Sequence, residues 1–554
     1  MMQELNKNYH KVIRTAIVVL LTACTGSSIY AQKENDKKQQ AIEITSSYKP
    51  VLRNAAKISF SAAQLPSDTS RQVSAYNIPA QNLFYTYQPG TLRPLALEQD
   101  SVTALGIRNF IKAGFGNYST PYVKAGFSFG DGEKALLNIY GDYISSKGSI
   151  LHQDYSRGSV KAAGSYFTDK VEVYGNAEVR QQDFYFYGYD HNTFNYTKTD
   201  VLQRFNDVNV KLGVRNKEET ALGIHYNPAI TFSLFNIKDR VLEETMLLDA
   251  PAEVPLNEEL SLRVAVKADL TAYSTKFVSD NVSFANNIFQ VAPQVVYARD
   301  LFNIHVGISP TWDNSKLSVL PNIYGEAKFN DLPFLIQAGL TGRFIKNTMR
   351  NLTALNPWLQ AVSVQQNTRE TELYGGIKAT FNKHFNFSAK AGLISYSNFP
   401  FFINDTTDGK TFYISNEGKL SNLRLHADLS FISQEKFTIT GGITFNGYTG
   451  MRDNAKAWGT IPLELNASMR WWAFKRLLIK SDFMAFSGGP YLLKDGINKT
   501  LSGAADLSAG AEYSITPSIS AWLDFNNIFN NKYQRWNNYQ VYGLNVLGGV
   551  VVRF

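Results

Sequence analysis

From about residue 106 to its end, the chain alternates between hydrophobic and polar residues in short segments. Apolar side chains occupy every second position in residues 171–179, 423–431 and 461–469, with polar or charged side chains between them. A period of two is typical of β-strands that have one apolar and one polar face. The pattern therefore predicts an antiparallel all-β protein.

The connections between these segments alternate in length. Short turns are predicted at 130–133, 168–170, 216–219, 330–333, 382–384, 433–436, 474–476 and 516–518. Longer loops are predicted at 186–199, 345–369, 397–420, 447–459, 487–499 and 528–540. Membrane barrels have short periplasmic turns and long outer loops, whereas a soluble sandwich has no reason to sort its loops by side. A transmembrane β-barrel is therefore predicted over residues 106–554.

The position of each turn also constrains the number of strands. A first count is odd and places the turn around Arg299 at the wrong end of the barrel. An additional strand over 241–256, followed by a turn at 256–259, corrects both problems. Barrels of this class have an even number of strands. The fold class predicted is all-β: a large antiparallel transmembrane β-barrel of about 22 strands with an extended N-terminal arm.

The first 31 residues have the pattern of an export signal. Basic residues that include Lys7 and Arg14 precede a short apolar stretch, and a small residue, Ala31, stands before Gln32. This pattern predicts a signal peptide over 1–31 that is cleaved between Ala31 and Gln32. An alternative site remains open, because residues 21–24 resemble a lipoprotein box that would leave Cys24, the one cysteine, lipidated.

Residues 32–105 differ from the rest of the chain. They begin with a polar stretch and contain five prolines, at positions 50, 66, 79, 89 and 94. Prolines disfavour long paired strands, so this region is predicted to be an extended periplasmic or lumenal arm. The arm is expected to lie at least partly in the lumen. Its expected contacts with the barrel are Tyr48, Pro50, Tyr85 and Tyr87.

Composition and charge agree with a barrel. The mean hydropathy is −0.21, and no apolar run approaches the roughly 18 residues of a membrane helix. The chain has 30 Tyr and 36 Phe, which suits aromatic girdles at the two membrane interfaces. One aromatic group is interpreted as such a girdle, with sugar binding as the alternative: Tyr155, Phe184, Tyr185, Phe186, Tyr187 and Tyr189. The net charge of +8 includes no basic run, so nucleic acid is not an expected partner.

The C-terminal segment predicts the strand that closes the barrel. Its alternate positions are apolar or glycine and end on an aromatic residue: Tyr542, Leu544, Val546, Gly548, Val550, Val552 and Phe554. A last strand must pair with the first so that no sheet edge is left in lipid. The row is interpreted as the C-terminal insertion signal that the barrel-assembly machinery recognises.

No catalytic motif is present, and the seven histidines are scattered. The protein is therefore not expected to be an enzyme, and no cofactor or metal is expected. Charged residues on the polar faces are candidate lumen charges: Glu172, Glu178, Arg180, Arg424, Asp428, Glu464, Arg470, Lys480 and Asp482. They could set the electric field for a solute or pair with one another as lumen filling. Both interpretations stay open at this point.

The last residues also resemble a known family. Residues 526–533, Trp536, Tyr539, Gly543 and residues 550–554 resemble the C-terminal end of TonB-dependent receptors, particularly those of Bacteroidota. The resemblance implies a 22-strand barrel and nutrient uptake. Residues 32–105 are too few for the plug domain of that family, so a receptor without a full plug is expected. Residues 42–46 resemble the segment that pairs with TonB.

These observations lead to two hypotheses about function. The first is a channel or receptor for nutrient uptake across the outer membrane. The alternative is a non-transporting barrel that scaffolds or assembles an outer-membrane protein complex. The expected partners are outer-membrane lipid and the barrel-assembly machinery, with TonB or a surface lipoprotein as further candidates.

Overall fold

The computed structural model describes residues 109–554 apart from 277–280, 330–332, 382–383, 434–435 and 494–495. The predicted signal peptide with Ala31 and Gln32, the alternative lipidation site at Cys24, the arm and the TonB-like segment 42–46 lie outside the described residues. The description below therefore concerns the barrel and its loops.

One large sheet forms the barrel. It contains 23 strands, of which one, His225–Tyr226, has two residues and only supplements a longer neighbour. The other 22 are numbered here in chain order: β1 Phe110–Gly116, β2 Thr120–Gly130, β3 Ala135–Lys147, β4 Asp154–Phe167, β5 Val171–Tyr185, β6 Leu202–Asn216, β7 Ala229–Ile237, β8 Val241–Pro255, β9 Leu260–Lys276, β10 Asn281–Arg299, β11 Phe302–Asp313, β12 Lys316–Lys328, β13 Phe334–Ile345, β14 Thr368–Phe381, β15 Phe385–Ser397, β16 Leu420–Ser433, β17 Phe437–Thr449, β18 Leu463–Phe474, β19 Leu477–Phe486, β20 Ala504–Ser514, β21 Ile519–Asn526 and β22 Asn545–Arg553.

The sheet closes on itself. Each strand pairs antiparallel with the next, and β1 pairs with β22 in a register that joins Phe110 to Arg553 and Gly116 to Leu547. Asn109 and Phe554 exchange two backbone hydrogen bonds of 3.2 and 3.0 Å just beyond this pair. Closure leaves no unpaired sheet edge, which a hydrocarbon environment requires. The predicted class and the predicted count of 22 strands are both confirmed.

The extra strand that turn parity required is present as β8. It begins at Val241 and ends at Pro255, and it pairs with β7 and β9 along its length. The turn at 256–259 follows it, with Leu256 N–H donating to the Leu260 carbonyl at 2.8 Å. The sorting of loops by length is less strict than predicted. Residues 217–228 form a long connection at the short-turn end, and residues 117–119, 238–240 and 314–315 form short ones at the opposite end.

The turn between β2 and β3 illustrates how local sequence builds the short-turn end. Gly130 adopts a φ of +106°, where a Cβ would lie 2.2 Å from the Ala135 carbonyl oxygen. The Asp131 carboxylate accepts backbone N–H groups of Glu133, Lys134 and Ala135 at 2.8–3.0 Å. These hydrogen bonds lower the pKa of Asp131. Glycine and aspartate are the residue types that such turns require.

The outer face of the barrel is apolar. Val160, Val179, Val319 and Leu393 are each more than half exposed on it, while the alternate positions of their strands point to the lumen. Exposed aromatic residues lie near both ends of the strands: Phe129, Tyr166, Phe381, Trp471 and Tyr513 near the short turns, and Phe115, Tyr143, Trp312 and Phe525 near the long loops. An apolar band between aromatic girdles is the surface that a lipid bilayer covers, so the barrel is an outer-membrane protein that crosses the membrane many times.

Six long loops lie at the end opposite the C-terminus, which is the extracellular end of a barrel with this arrangement. They are named here loop A (186–201), loop B (346–367), loop C (398–419), loop D (450–462), loop E (487–503) and loop F (527–544). Loop B contains a helix, Met349–Leu355. Within the described residues, no helix is long and apolar enough to cross a membrane.

Candidate functional site

The outer loops meet above the lumen and cover the outer mouth of the barrel. Loop A follows β5 and loop C follows β15, so they leave the barrel nearly opposite each other in a ring of 22 strands. They nevertheless touch, because Tyr196 of loop A donates its hydroxyl hydrogen to Asp408 of loop C at 2.7 Å. Lys410 forms an ion pair with Asp408 and lies 4.3 Å from the Tyr196 ring centroid. A contact of this kind requires both loops to extend across the mouth.

Burial and hydrogen bonding shift the pKa values of Asp408 and Lys410 in opposite directions. Burial alone would lower the pKa of Lys410, but its hydrogen bonds to Asp408 and Tyr196 outweigh that effect and raise it. Burial alone would raise the pKa of Asp408, and hydrogen bonds from Lys410 and Tyr196 lower it instead. Both groups are therefore charged at neutral pH, and the contact between loops A and C is an ion pair.

Aromatic side chains from four loops form the centre of this cap. Trp358 of loop B stacks on Tyr539 of loop F with ring centroids 3.8 Å apart. Tyr187 of loop A meets Tyr539 edge-on at 4.9 Å, and Phe412 of loop C lies 6.0 Å from Tyr539. Trp358, Tyr187 and Tyr539 are each no more than 5% exposed. Large aromatic side chains buried together in this way contribute strongly to stability.

Hydrogen bonds across the loops complete the aromatic centre. Tyr539 donates to the Lys410 carbonyl, and Tyr187 donates to the Gln540 carbonyl at 2.8 Å. Burial raises the pKa of both phenols above the usual range, so they stay protonated and able to donate. Trp358 Nε1 donates to the Tyr185 carbonyl at 3.1 Å. Each of these bonds joins two different loops or a loop and a strand end.

Loops D and E extend the cap to one side. The Glu417 carboxylate at the end of loop C accepts backbone N–H groups of Arg452, Asp453 and Asn454 in loop D at 2.8–3.2 Å. Gly459 of loop D donates its N–H to the Pro490 carbonyl of loop E at 2.9 Å. All six long loops are thus connected, directly or through one another, into one cap.

The aromatic group predicted as a girdle belongs to this cap, so that interpretation was wrong. Tyr155, Phe184, Phe186, Tyr187 and Tyr189 are buried rather than exposed to lipid. Phe184 lies on β5 and contacts Trp358, with ring centroids 6.4 Å apart. The sequence reveals that these residues are aromatic and near a loop. It does not reveal that loop B reaches them from the opposite side of the ring.

Three predicted lumen charges lie together on β5. They occupy the face opposite the exposed Val173 and Val179, which in a closed barrel is the lumenal face. Glu172 accepts hydrogen bonds from Ser165 Oγ at 2.8 Å and from Arg215 Nε at 2.6 Å. Glu178 and Arg180 form an ion pair with each other.

The other six predicted lumen charges lie on β16, β18 and β19, apart from β5 in the ring. Arg424 donates to Tyr396 Oη at 2.8 Å and to Asn446 Oδ1 at 3.2 Å. Asp428 lies 2.6 Å from His426 Nε2, and Asp482 accepts from Ser468 Oγ at 2.6 Å. Arg470 and Lys480 are paired positions of β18 and β19. Glu464 faces Arg535, a buried residue of loop F whose pKa burial lowers to about 10.

Many charges on the lumenal wall are paired between neighbouring strands. Examples of ion pairs between adjacent strands on this wall are Arg157–Asp142, Arg215–Glu172, Arg263–Glu253, Arg343–Glu370 and Lys390–Glu372, with N–O distances of 2.5–3.2 Å. Opposite charges directly across a strand pair stabilise the sheet locally. The predicted charges therefore belong to a wall of distributed pairs and do not converge on one site.

The C-terminal row follows the prediction over most of its length. Leu544, Val550, Val552 and Phe554 are exposed on the outer face, and Val546 is half-buried on the same side. Tyr542 departs from the row, because β22 begins only at Asn545. Tyr542 is buried in loop F and donates its hydroxyl hydrogen to the Gln153 carbonyl at 2.5 Å.

In the part of the chain that the structure describes, no group of three or more His, Cys, Asp or Glu side chains is placed to hold a metal ion. The sequence interpretation missed the cap, above all Trp358 and Phe412, and it named Tyr539 only for its resemblance to a family. A usable signal was present, since loops predicted to face water carry large aromatic residues.

Comparison with known proteins supports the fold. The sequence matches no family model and no curated protein. The structure resembles the FrpB iron transporter of Neisseria meningitidis with a TM-score of 0.63 and 11% identity, over 81% of this chain and 82% of that one. It also resembles the siderophore receptor PirA of Acinetobacter baumannii (TM-score 0.62, 10% identity, 81% and 80% covered).

A third similar structure is a mutant of the ferric enterobactin receptor PfeA of Pseudomonas aeruginosa (TM-score 0.60, 11% identity, 81% and 80% covered). At such low identity the likeness concerns the fold. The barrel therefore shares its fold with these iron and siderophore receptors.

Proposed function

We propose that the protein is a gated receptor for nutrient uptake across the outer membrane. The observation that carries this proposal is the closed outer mouth, in which Tyr196 of loop A contacts Asp408 of loop C across the ring. A 22-strand barrel is too wide for its own wall side chains to fill. The loops of the barrel itself cap this wide pore. Such a pore suits a solute that passes only when the cap opens.

Iron complexes are the substrate class to examine first. The titles of the similar structures name an iron transporter, a siderophore receptor and a ferric enterobactin receptor. We propose a ferric siderophore or another iron complex for this chain on the basis of that likeness in fold. The distributed ion pairs of the lumenal wall suit a polar solute, because they present both signs of charge without one dominant field.

We further propose that residues 32–105 form a second barrier beneath the cap. Their expected position in the lumen, with Tyr48, Pro50, Tyr85 and Tyr87 on the barrel wall, would replace the full plug of the family. Residues 42–46 would then be the segment that pairs with TonB. The same proposal includes a mature chain that begins at Gln32, an origin in Bacteroidota and a surface lipoprotein as a partner. The intact mass of the purified protein separates cleavage after Ala31 from lipidation of Cys24.

The scaffold hypothesis retains one specific observation in its favour. The cap is closed by side chains as thoroughly buried as a protein core, as Trp358 and Tyr539 illustrate. If the cap never opens, the barrel would serve as an anchor for partner proteins. Movement of the cap therefore decides between the two functions.

Uptake of ⁵⁵Fe-labelled siderophores tests the proposal in a strain that lacks the gene. Cells complemented with the wild-type protein should accumulate label from at least one ferric siderophore, and cells that carry a Gly-Ser linker in place of residues 42–46 should not. The linker variant must reach the outer membrane in normal amount for the comparison to count. Equal accumulation with and without the protein, across hydroxamate, catecholate and carboxylate siderophores, would contradict uptake of iron complexes.

A further inference from the structure

Loop B reaches below the outer rim of the barrel, because Lys346 contacts Asp269 near the middle of β9. It leaves β13 and returns at β14, yet its contacts extend along the lumenal wall from β11 to β6. At its C-terminal end, Asn367 Nδ2 donates to Asn286 Oδ1 of β10 at 2.6 Å and to Asp313 Oδ1 of β11 at 2.7 Å. Loop B therefore follows the inner wall before its tip joins the aromatic centre.

Three carboxylates on three wall strands hold the start of loop B. Arg350 makes a bidentate pair with Asp207 of β6, with Nε–Oδ1 and Nη2–Oδ2 distances of 2.9 Å each. Glu243 of β8 accepts the backbone N–H groups of Met349 at 2.6 Å and of Arg350 at 3.2 Å. These bonds fix both the side chain and the backbone of the same turn of helix.

The third carboxylate holds the first residue of the loop. Lys346 Nζ forms an ion pair with Asp269 of β9 and donates to Thr271 Oγ1 at 2.7 Å and to the Asp269 carbonyl at 2.8 Å. Burial lowers the pKa of Lys346, and the neighbouring Asp269 opposes that effect. Asp269, Glu243 and Asp207 lie on one continuous stretch of wall, from β9 to β6.

These contacts differ from the other ion pairs of the wall. Arg263 and Glu253, at 2.6 Å, join two adjacent strands that the sheet already holds together. Arg350 and Asp207, by contrast, join a loop to a strand with which that loop has no ladder hydrogen bonds. A charge-assisted bidentate pair has both strength and fixed geometry, so it determines where the loop lies.

We propose that Asp207, Glu243 and Asp269 form an electrostatic latch that holds loop B on the inner wall and thereby keeps the outer mouth closed. Release of Arg350 and Lys346 frees the start of the loop. The tip with Trp358 then leaves Tyr539 and Tyr187, because the stack requires loop B to stay against the wall. The latch deepens the proposed gated uptake, and it regulates the same mouth.

A charge swap tests the latch on intact cells. The readout is cleavage after Trp358 by externally added chymotrypsin, because this side chain is 5% exposed in the closed cap. Arg350→Glu and Asp207→Arg should each accelerate that cleavage at least tenfold, since each places like charges together. The combined variant Arg350→Glu/Asp207→Arg restores an opposite pair and should return the rate close to that of the wild type.

The matched control is Arg263→Glu, which reverses a charge of the same kind on the same wall but contacts no part of loop B. It should leave cleavage after Trp358 unchanged. Retained heat-modifiable migration in gel electrophoresis identifies the variants that form a barrel. Slow cleavage in both single variants, or a double variant as fast as either single, would overturn the latch.

The failure of the latch is separable from the failure of the proposed function, because chymotrypsin cleavage requires neither a nutrient nor an open lumen. A rescued double variant in cells that take up no ferric siderophore would leave the latch standing and remove the uptake proposal. Normal siderophore uptake with no effect of the single variants on cleavage would do the reverse.

Discussion

The barrel wall and the cap over its outer mouth are held together by different kinds of contact. Wall strands pair with their immediate neighbours, and ion pairs such as Arg215–Glu172 only reinforce a ladder of backbone hydrogen bonds. The ladders of the cap are short and lie within single loops, as in loop C, where Phe399–Asn404 pairs with Phe412–Glu417. The loops of the cap meet through side chains that are far apart in the sequence, as with Tyr196 and Asp408. Two kinds of contact therefore hold each pair of wall strands together, whereas the contacts between loops of the cap are made by individual side chains.

This difference suits the proposed function, in which the cap opens while the wall stays intact. Local opening of a structure requires little free energy where few contacts are lost. Opening the wall would expose unpaired backbone groups to lipid, which is prohibitively unfavourable. Opening the cap breaks contacts between side chains, such as those of Trp358 and Tyr539, and exposes the groups that they leave to water rather than to lipid. The cap is the part of the described structure best suited to move.

The largest expected effect concerns closure of the wall. Deleting Phe554 removes the last exposed aromatic of the C-terminal row and its two backbone hydrogen bonds with Asn109. The outer-membrane level of the protein should fall severalfold, with unassembled chains in the periplasm, as measured by membrane fractionation. Phe554→Tyr keeps a terminal aromatic residue and its backbone groups, so it is the matched control and should keep the wild-type level. Normal levels of the deletion variant would refute the insertion-signal interpretation.

The next effect concerns the centre of the cap. Trp358→Ala removes a buried aromatic side chain, a change that typically costs about 3–5 kcal/mol in a core. Because that side chain joins loops rather than strands, the loss should appear as opening of the cap. We expect faster chymotrypsin cleavage within loop B, while the amount of folded barrel stays the same. Trp471→Ala, on the lipid-facing wall, is the control and should alter neither quantity.

A smaller effect is expected from breaking a wall ion pair. Arg263→Gln removes the pair with Glu253, but both side chains are partly exposed and the strands remain hydrogen-bonded. Exposed pairs contribute about 0–1 kcal/mol. The midpoint of thermal unfolding, followed by circular dichroism, should therefore stay within a few degrees of the wild-type value. A much larger fall in the midpoint would mean that the wall also depends on single contacts.

The smallest effect is expected from alkaline pH. Burial raises the pKa of Tyr187 and Tyr539 above the usual value of 10.0, so the bonds they donate persist up to that pH and weaken only as pH rises through the raised values. Chymotrypsin digests before and after a brief exposure to pH 10 should be the same for loop B. Tyr539→Phe removes one donated bond and keeps the ring, so it separates the hydroxyl from the stack.

The strands of the wall could be predicted from the sequence, because the alternation of apolar and polar residues is a local pattern. Alternation identifies β5 from residues 171–180 alone, and the parity of turns identifies β8 although its pattern is weak. Antiparallel pairing of neighbours then determines the topology with little further information. The final strand illustrates the limit, since alternation extended it to Tyr542, whereas the strand begins at Asn545 and Tyr542 belongs to loop F.

The cap was not predictable by the same reasoning. Which side chains meet depends on the closed ring, which brings loops A and C together although Tyr196 and Asp408 are 212 residues apart. The aromatic residues of 184–189 were assigned to lipid for the same reason. A large loop aromatic can face lipid, water or another loop, and only the path of the other loops decides among them.

Separation of loops B and C is the event on which the proposed function depends. Leu359 and Phe412 are partners in a backbone bridge between these loops, with Phe412 N–H donating to the Trp358 carbonyl at 3.0 Å. Bridge partners lie within the Cα separation that a disulfide spans, about 4.4–6.8 Å. The only natural cysteine, Cys24, lies in the predicted signal peptide. Leu359→Cys/Phe412→Cys therefore introduces a selective clamp.

The decisive measurement is single-channel conductance of the Leu359→Cys/Phe412→Cys variant in planar bilayers, with residues 42–100 also deleted so that the arm cannot block the lumen. Under reducing conditions we expect opening events from a nearly closed baseline. Oxidation should abolish those events, and a reductant should restore them. Events of the same frequency before and after oxidation, or a high conductance throughout, would contradict a mouth that opens by parting its own loops.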